Sequence, residues 1–123
     1  MSLHPELLAD IARECVDQLS EPPRLTQDAL IVPLANGVTL TVRYAARDAY
    51  SLRWQPCGES GELGIDTAPT HPTLATRPNH LHLADGRVVA DPLTRPDAAP
   101  LANVRAVMAA ILDDPLLGAH PMP

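Results

Sequence analysis

Phenylalanine and lysine are both absent from the 123-residue sequence, and its only aromatic residues besides histidine are Tyr44, Tyr50 and Trp54. A hydrophobic core must therefore consist mainly of Leu, Val, Ile and Ala side chains. Apolar residues make up 46% of the chain, which is ordinary for a globular protein and enough to build such a core.

Long apolar runs are absent too. None approaches the roughly 20 residues that a membrane-spanning helix needs, and the amino terminus lacks the basic and then apolar pattern of a signal peptide. We therefore expect a cytoplasmic protein that does not interact with a membrane.

Cysteine is scarce, with Cys15 and Cys57 as the two in the chain. Neither belongs to a CxxC motif or to a cluster of Cys and His spaced for zinc, and one pair does not indicate a disulfide framework. We expect two reduced thiols, and the pattern indicates no cofactor.

The formal net charge of −6 argues against a general nucleic-acid binder, because binding to the phosphate backbone depends on basic side chains. The excess of acid lies at the two ends. Residues 1–23 carry five acids and one Arg, residues 96–123 carry three acids and one Arg, and residues 24–95 carry seven of each. The argument therefore applies to the ends and not to the middle of the chain.

Amphipathic helices are predicted at the two ends of a single domain that covers residues 1–123. Apolar residues at helical spacing, followed by two consecutive prolines, predict a helix over residues 1–20. The same periodicity predicts a helix over residues 100–113, and residues 114–123 are expected to form a loose tail.

An antiparallel sheet is predicted between the helices, over residues 28–90. Asn36 and Gly37 between alternating apolar residues are a strong signal for a hairpin with a type I′ turn. Further alternating segments are joined by turns too short for parallel neighbours, and a Pro-rich loop covers residues 68–78. The predicted fold class is α+β, with an antiparallel meander of four to six strands flanked by an N-terminal and a C-terminal helix.

Two histidines spaced two apart are the strongest candidates for chemistry. On a strand, His80 and His82 project from the same face, and a loop that folds back would bring His71 and Asp66 to them. Imidazole acts as acid or base near neutral pH because its unperturbed pKa is about 6.5. Two alternatives stay open: histidines that lie by chance on a solvated strand face, and a metal site of two His and one carboxylate. No further metal-binding motif supports the second alternative, so no bound metal is predicted.

Arg53 and Arg77 are candidates for binding a phosphate, because guanidinium groups hold phosphate with two parallel hydrogen bonds. The alternative for an Arg on a sheet face is simple solvation. Tyr50 and Trp54 alternate with an apolar residue and are expected in the core.

Five segments from Tyr50 onward follow one another in a characteristic order: YSLRW, GEL, DTAPTHP, PNHLH and PLANVRAVMAAIL. This order resembles that of the TumE-like toxins of bacterial toxin–antitoxin systems. The family pattern runs from a Tyr-x-x-x-Trp strand through a Gly-Glu-Leu turn, an Asp-Asn-Ala-Pro-His-His-Pro stretch and a Pro-His-His-x-His stretch to a final helix. With the preceding hairpin, the resemblance extends from Val32 to Leu112.

Carried across position by position, the resemblance places Asp66 and His71 on the Asp and the second His of the first stretch. It places His80 and His82 on the second and third His of the other stretch. A toxin of this family implies neutralisation by direct contact with a cognate antitoxin, a helix-turn-helix DNA-binding protein encoded beside it. RNA is the implied target.

The first functional hypothesis is a metal-independent endoribonuclease. One of His80 or His82 would take the proton from a ribose 2′-hydroxyl, while His71 protonates the leaving 5′-oxygen. Arg77 or Arg53 would neutralise the phosphorane.

Three positions depart from the family pattern: Thr67 replaces an Asn, Thr70 a His and Asn79 another His. The second hypothesis is therefore a non-enzymatic interaction module, catalytically impaired relative to its family, whose acidic helices meet a basic partner. An exposed sheet edge would in addition support a homodimer.

Overall fold

The computed structural model describes residues 3–56, 61–68 and 78–118. Their elements, in chain order, are α1 His4–Glu14, a 3₁₀ helix Val16–Gln18, β1 Arg24–Leu25, β2 Leu30–Pro33, β3 Thr39–Ala46, β4 Ala49–Trp54, β5 Leu63–Asp66, β6 His80–His82, β7 Val88–Ala90 and α2 Pro100–Asp113. No helix in these residues is long and apolar enough to cross a bilayer.

The strands of the described residues form one sheet in which spatial order equals chain order, from β1 to β7, and every neighbouring pair is antiparallel. The predicted α+β class and meander are confirmed. The count exceeds the predicted four to six because β1 precedes the predicted sheet and pairs Arg24 with Ile31 and Leu25 with Leu30. Both residues of β1 are exposed, so no alternation in the sequence reveals it.

The first helix is shorter than the predicted span of residues 1–20, because α1 ends at Glu14. Cys15 has left helical geometry, with φ −116° and ψ 17°. A little further on, Leu19 forms an antiparallel bridge with Leu34, so the chain is already held by the sheet where the helix was expected to continue. Cys15 itself is a buried, free thiol, and burial raises its pKa.

β2 and β3 form the predicted hairpin with a different turn. Gly37 has a φ of 88°, whereas Asn36 is not in the left-handed region that a type I′ turn needs. The Gly37 amide donates to the Leu34 carbonyl at 3.0 Å, as in a type I turn followed by a left-handed glycine. The Asn36 amide group donates to the Ile111 carbonyl at 3.1 Å and thereby ties the turn to α2.

One face of the sheet packs against both helices, because alternate strand residues are buried. They form a largely aliphatic core together with residues of the two helices. Its principal helical members are Leu7, Ile11, Val104, Val107, Met108 and Ile111. The intervening strand residues point to the other side of the sheet, here termed the polar face. The polar face bears Thr41, Arg43, Ser51, Arg53, Gly64, Asp66, His80 and His82.

Residues 114–118 are packed, although a loose tail was predicted over 114–123. The Trp54 indole Nε1 donates to the Pro115 carbonyl at 2.8 Å, and Leu116 is buried. A contact of this kind leaves no periodicity in the sequence. Residues 119–123 lie outside the described residues, as do residues 69–77 of the predicted Pro-rich loop.

Candidate functional site

β5 and β6 bring Asp66, His80 and His82 together on the polar face. Asp66 and His80 are direct register partners, and His82 follows on the same face of β6. The Nε2 atom of His80 lies 3.0 Å from Oδ1 of Asp66, and that of His82 lies 3.3 Å from Oδ2. The two imidazole rings meet edge to face with their centroids 4.7 Å apart. The carboxylate therefore lies within hydrogen-bonding reach of both rings.

The two histidines differ in their environment. The side chain of His80 is 2% exposed and that of His82 is 33% exposed. The His80 Nδ1 atom lies 3.1 Å from the Pro78 carbonyl, so both of its ring nitrogens face oxygen acceptors. His80 is thus fixed in place, whereas His82 has access to solvent.

The titration of His82 is set by competing effects. Burial, the largest effect, lowers its pKa from the ordinary value, and the neighbouring His80 and Arg53 lower it further. The Asp66 carboxylate acts in the opposite direction. Since the net direction is downward, the neutral imidazole is the prevailing form of His82 at neutral pH.

Arg53 reaches the cluster from β4. Its Nη2 atom lies 3.5 Å from Oδ2 of Asp66 and its Nη1 atom 3.5 Å from Oε1 of Glu62. The side chain crosses Gly64, where an added Cβ would lie 3.2 Å from the Arg53 Cγ. A glycine inside a strand often marks such a close approach, and this was the signal in the sequence that could have identified Gly64.

Asp66 is held by backbone as well as by side chains. Its Oδ1 atom accepts a hydrogen bond from the Ala68 amide at 3.0 Å. The ligand-type atoms of Asp66, His80 and His82 all lie within 4.8 Å of one another. Two imidazoles and one carboxylate are a donor set that could hold a divalent ion with open positions, so the cluster supports either acid–base chemistry or metal binding.

Four predicted site residues lie in the described part of the chain, and the structure brings Arg53, Asp66, His80 and His82 together. The other two candidates, His71 and Arg77, lie outside the described residues. Both belong to the segment that connects β5 with β6.

A protein-family model described as Toxin TumE matches residues 6–115 of the chain. The chain belongs to the TumE toxin family. The resemblance drawn from the motifs is thereby confirmed, and the TumE chain is the toxin component of a toxin–antitoxin pair, with an antitoxin as its partner. No curated protein and no solved structure gave a significant match.

Two of the three departures from the TumE pattern can be placed, and both serve the fold. The Thr67 hydroxyl accepts a hydrogen bond from the Tyr50 amide at 3.0 Å, just beyond the end of β5. Asn79 is buried and donates to Oδ2 of Asp91 at 2.8 Å. Thr70 lies outside the described residues. The altered side chains at Thr67 and Asn79 therefore have structural partners of their own, close in the chain to Asp66 and His80.

Proposed function

We propose that this toxin is a metal-independent endoribonuclease that cleaves RNA by histidine acid–base chemistry. The observation that carries the proposal is the Asp66 carboxylate, within 3.0 Å and 3.3 Å of the Nε2 atoms of His80 and His82. A carboxylate bonded to one ring nitrogen fixes the tautomer and the orientation of an imidazole, as in the catalytic triads of hydrolases.

His82 is the proposed general base, since it is partly exposed and its pKa is lowered mainly by burial. When its Nε2–H group donates to Asp66, the Nδ1 atom carries the lone pair that accepts the proton of a ribose 2′-hydroxyl. The 2′-oxygen then bonds to the adjacent phosphorus and the bond from phosphorus to the 5′-oxygen breaks. The products are a 2′,3′-cyclic phosphate and a 5′-hydroxyl.

The departing 5′-oxygen needs a proton, and we assign its donor to His71. Both ends of the segment that carries His71 contact the cluster: the Ala68 amide donates to Asp66, and the Pro78 carbonyl lies 3.1 Å from the Nδ1 atom of His80. Arg53 and Arg77 are assigned to the negative charge that develops on the phosphorane.

The partner and the location form a further part of the proposal. Family membership supplies an antitoxin, and we propose that it is a helix-turn-helix DNA-binding protein in the cytoplasm. At the edges of the described sheet, β1 and β7 each pair with a single described strand. Such edges accept another strand, so a homodimer would form there.

The deciding experiment is cleavage of total RNA and of structured RNA by the purified toxin, with and without EDTA. The variants are the double variant His80→Ala with His82→Ala, and Asp66→Asn. Asp113→Asn, an exposed change at the end of α2, is the matched control. We expect EDTA to have no effect and Asp66→Asn to lower the rate by about 10² to 10⁴, the usual contribution of acid–base groups. The Asp113→Asn variant should cleave like the unaltered toxin.

Three results would contradict the proposal: no cleavage by the unaltered toxin, full cleavage by the double variant, or loss of cleavage in EDTA with recovery on addition of a divalent ion. The third result would assign the cluster to a metal. Mass spectrometry of the products checks for the cyclic phosphate, and thermal unfolding of each variant checks that it is folded.

A non-enzymatic binding module is the second candidate, and one observation favours it. Among the described residues, Val16 and Leu25 are large apolar side chains exposed to 61% and 46%, at the β1 edge of the sheet and far along it from β5 and β6. Exposed apolar side chains often mark a contact with another protein. If the toxin cleaves no RNA and Val16→Asp abolishes antitoxin binding, this reading replaces the first.

A further inference from the structure

We infer that Arg43 forms a second phosphate-binding position on the polar face, and that the substrate is a single RNA strand held by its backbone beside Asp66, His80 and His82. This inference rests on the proposed ribonuclease function. A groove of 380 Å³ lies on this face, and its walls include Arg43, Arg53 and Asp66. Asp66 thus lines the groove and also contacts His80 and His82.

The groove exists because small side chains lie between larger ones. Its lining also includes Ala45, Ala49, Ser51 and Ala68. The first three lie on β3 and β4, and Ala68 lies two residues beyond β5. The longer side chains of Arg43 and Arg53 also line the groove. The depression therefore leads along the polar face to the Asp66 carboxylate.

The register of the sheet sets the spacing of the two positions. Arg43 pairs with Ser51, Ser51 with Asp66, and Asp66 with His80, so the four residues form one row across β3 to β6. With neighbouring strands about 4.8 Å apart, the Arg43 backbone is about 10 Å from that of Asp66. A phosphate bound at Arg43 would lie a short distance along the RNA strand from the phosphate bound beside Asp66.

Both arginines are in weak ion pairs that a phosphate can replace. The Arg43 Nε atom lies 3.7 Å from Asp28 Oδ2, with the two side chains 46% and 75% exposed. The Arg53 Nη1 atom is 3.5 Å from Glu62 in an exposed pair, while its Nη2 atom keeps its contact with Asp66 at 3.5 Å. Exposed pairs at such distances contribute little to stability, whereas a guanidinium binds a phosphate through two charged hydrogen bonds.

The lining also indicates how the strand is recognised. The ring of Tyr50, which borders the groove, is buried in the core and stacked on Tyr44 with centroids 5.0 Å apart. The groove therefore offers cations without a free aromatic surface. Contacts to phosphate position a nucleic acid without reading its sequence, so binding in the groove should depend little on sequence.

The test measures binding of a short fluorescein-labelled RNA strand with 2′-O-methyl riboses, which have no free 2′-hydroxyl and cannot be cleaved by the proposed route. Fluorescence anisotropy is recorded over a range of KCl concentrations. Arg43→Ala is compared with Arg105→Ala, which removes an exposed arginine from α2 on the helical side. We expect Arg43→Ala to bind roughly tenfold more weakly at low salt and to lose about 0.7 from the slope of log K against log salt. Arg105→Ala should bind like the unaltered toxin.

A variant that binds RNA more tightly provides a further check, because a misfolded protein would not gain affinity. Asp28→Asn removes the carboxylate that competes for Arg43 and should tighten binding about twofold, in line with the small energy of an exposed pair. Asp17→Asn, an exposed change of the same charge on the 3₁₀ helix, should not tighten it. Equal binding by Arg43→Ala and Arg105→Ala, or no binding by the unaltered toxin, would overturn the inference.

The two proposals fail in different ways. Binding that depends on Arg43, combined with no cleavage of unmodified RNA, would overturn the ribonuclease and support the groove. Cleavage by the unaltered toxin, combined with RNA affinity that Arg43→Ala does not lower, would overturn RNA binding in the groove and support the ribonuclease.

Discussion

Gly64 lies between Arg53 and His82 in the register of β4, β5 and β6. Its missing side chain is the space through which the Arg53 guanidinium passes to Asp66. A single methyl group at this position would therefore change the geometry of the site without changing its chemical groups.

We predict that Gly64→Ala lowers RNA cleavage while the toxin stays folded. The new Cβ would lie 3.2 Å from the Arg53 Cγ, so the arginine must shift by a few tenths of an ångström, which disturbs its 3.5 Å contact with Asp66. Because alanine is less flexible than glycine when unfolded, the free energy of unfolding should change by no more than about 1 kcal/mol. Measurements of kcat/KM and of thermal unfolding check this, and full activity of the variant would show that the position of Arg53 is unimportant.

The sequence predicted part of this site for identifiable reasons. A spacing of two residues on a strand placed His80 and His82 on one face. Asp66 was expected to reach them through a loop that folds back, whereas the structure places it beside His80 by direct strand pairing. The roles of Gly64 and Arg43 depend on the register between strands, which the chain does not show locally. An exposed arginine in an alternating strand such as β3 looks the same whether it is solvated or lines a groove.

Two tyrosines of the β3–β4 hairpin have polar partners in α2 and in the segment that precedes it. The Tyr44 hydroxyl accepts a hydrogen bond from the Asn103 amide group at 3.2 Å, and the Tyr50 hydroxyl lies 2.7 Å from that of Thr94. Burial raises the pKa of Tyr44 to about 12 and raises that of Tyr50 in the same direction. These elements are therefore held together by neutral tyrosines.

We predict that the toxin loses stability at alkaline pH through Tyr44. An unfolded tyrosine titrates near pH 10, so the stabilisation is complete below that value and is lost as the pH rises towards about 12. Tyr44→Phe should reduce this loss, because phenylalanine has no hydroxyl to ionise. Asn103 stays bonded in the variant through its 2.9 Å hydrogen bond to the Arg95 carbonyl. Unfolding temperatures between pH 9 and pH 12 test the effect, and an equal decline in both proteins would refute it.

The segment after α2 is an element that the sequence did not predict. It closes one end of the core, where Pro115 accepts the Trp54 hydrogen bond and Leu116 is buried. Likewise, β1 escaped prediction because two exposed residues have no periodicity to detect. In contrast, the longer alternating strands and both amphipathic helices were predicted, since burial of one face imposes a repeating pattern.

We predict that Leu116→Ala lowers the free energy of unfolding by about 2–3 kcal/mol, the usual cost of emptying a buried leucine site. Leu25→Ala is the matched control, because Leu25 is largely exposed on β1 and the same change there should cost less than about 0.5 kcal/mol. Urea unfolding measures both values. Equal costs would mean that residues 114–118 do not contribute to the core.

At the scale of the whole molecule, the sheet separates two kinds of surface. The two helices, which together carry four acids and two arginines, cover one face, and the other face carries Asp66, His80 and His82 with Arg43 and Arg53. The net charge of −6 is therefore a poor guide to the proposed RNA binding, because RNA bound as proposed would lie against the charges of the polar face.

The order of the strands also bears on how the toxin is made. Since each strand pairs with its neighbours in the chain, the sheet can grow in step with synthesis on the ribosome, without waiting for distant partners. Asp66 lies on β5 and the two histidines lie on β6, so a nascent chain that stops before β6 lacks the cluster. A ribosome that stalls in the first half of the message would release a fragment without His80 and His82.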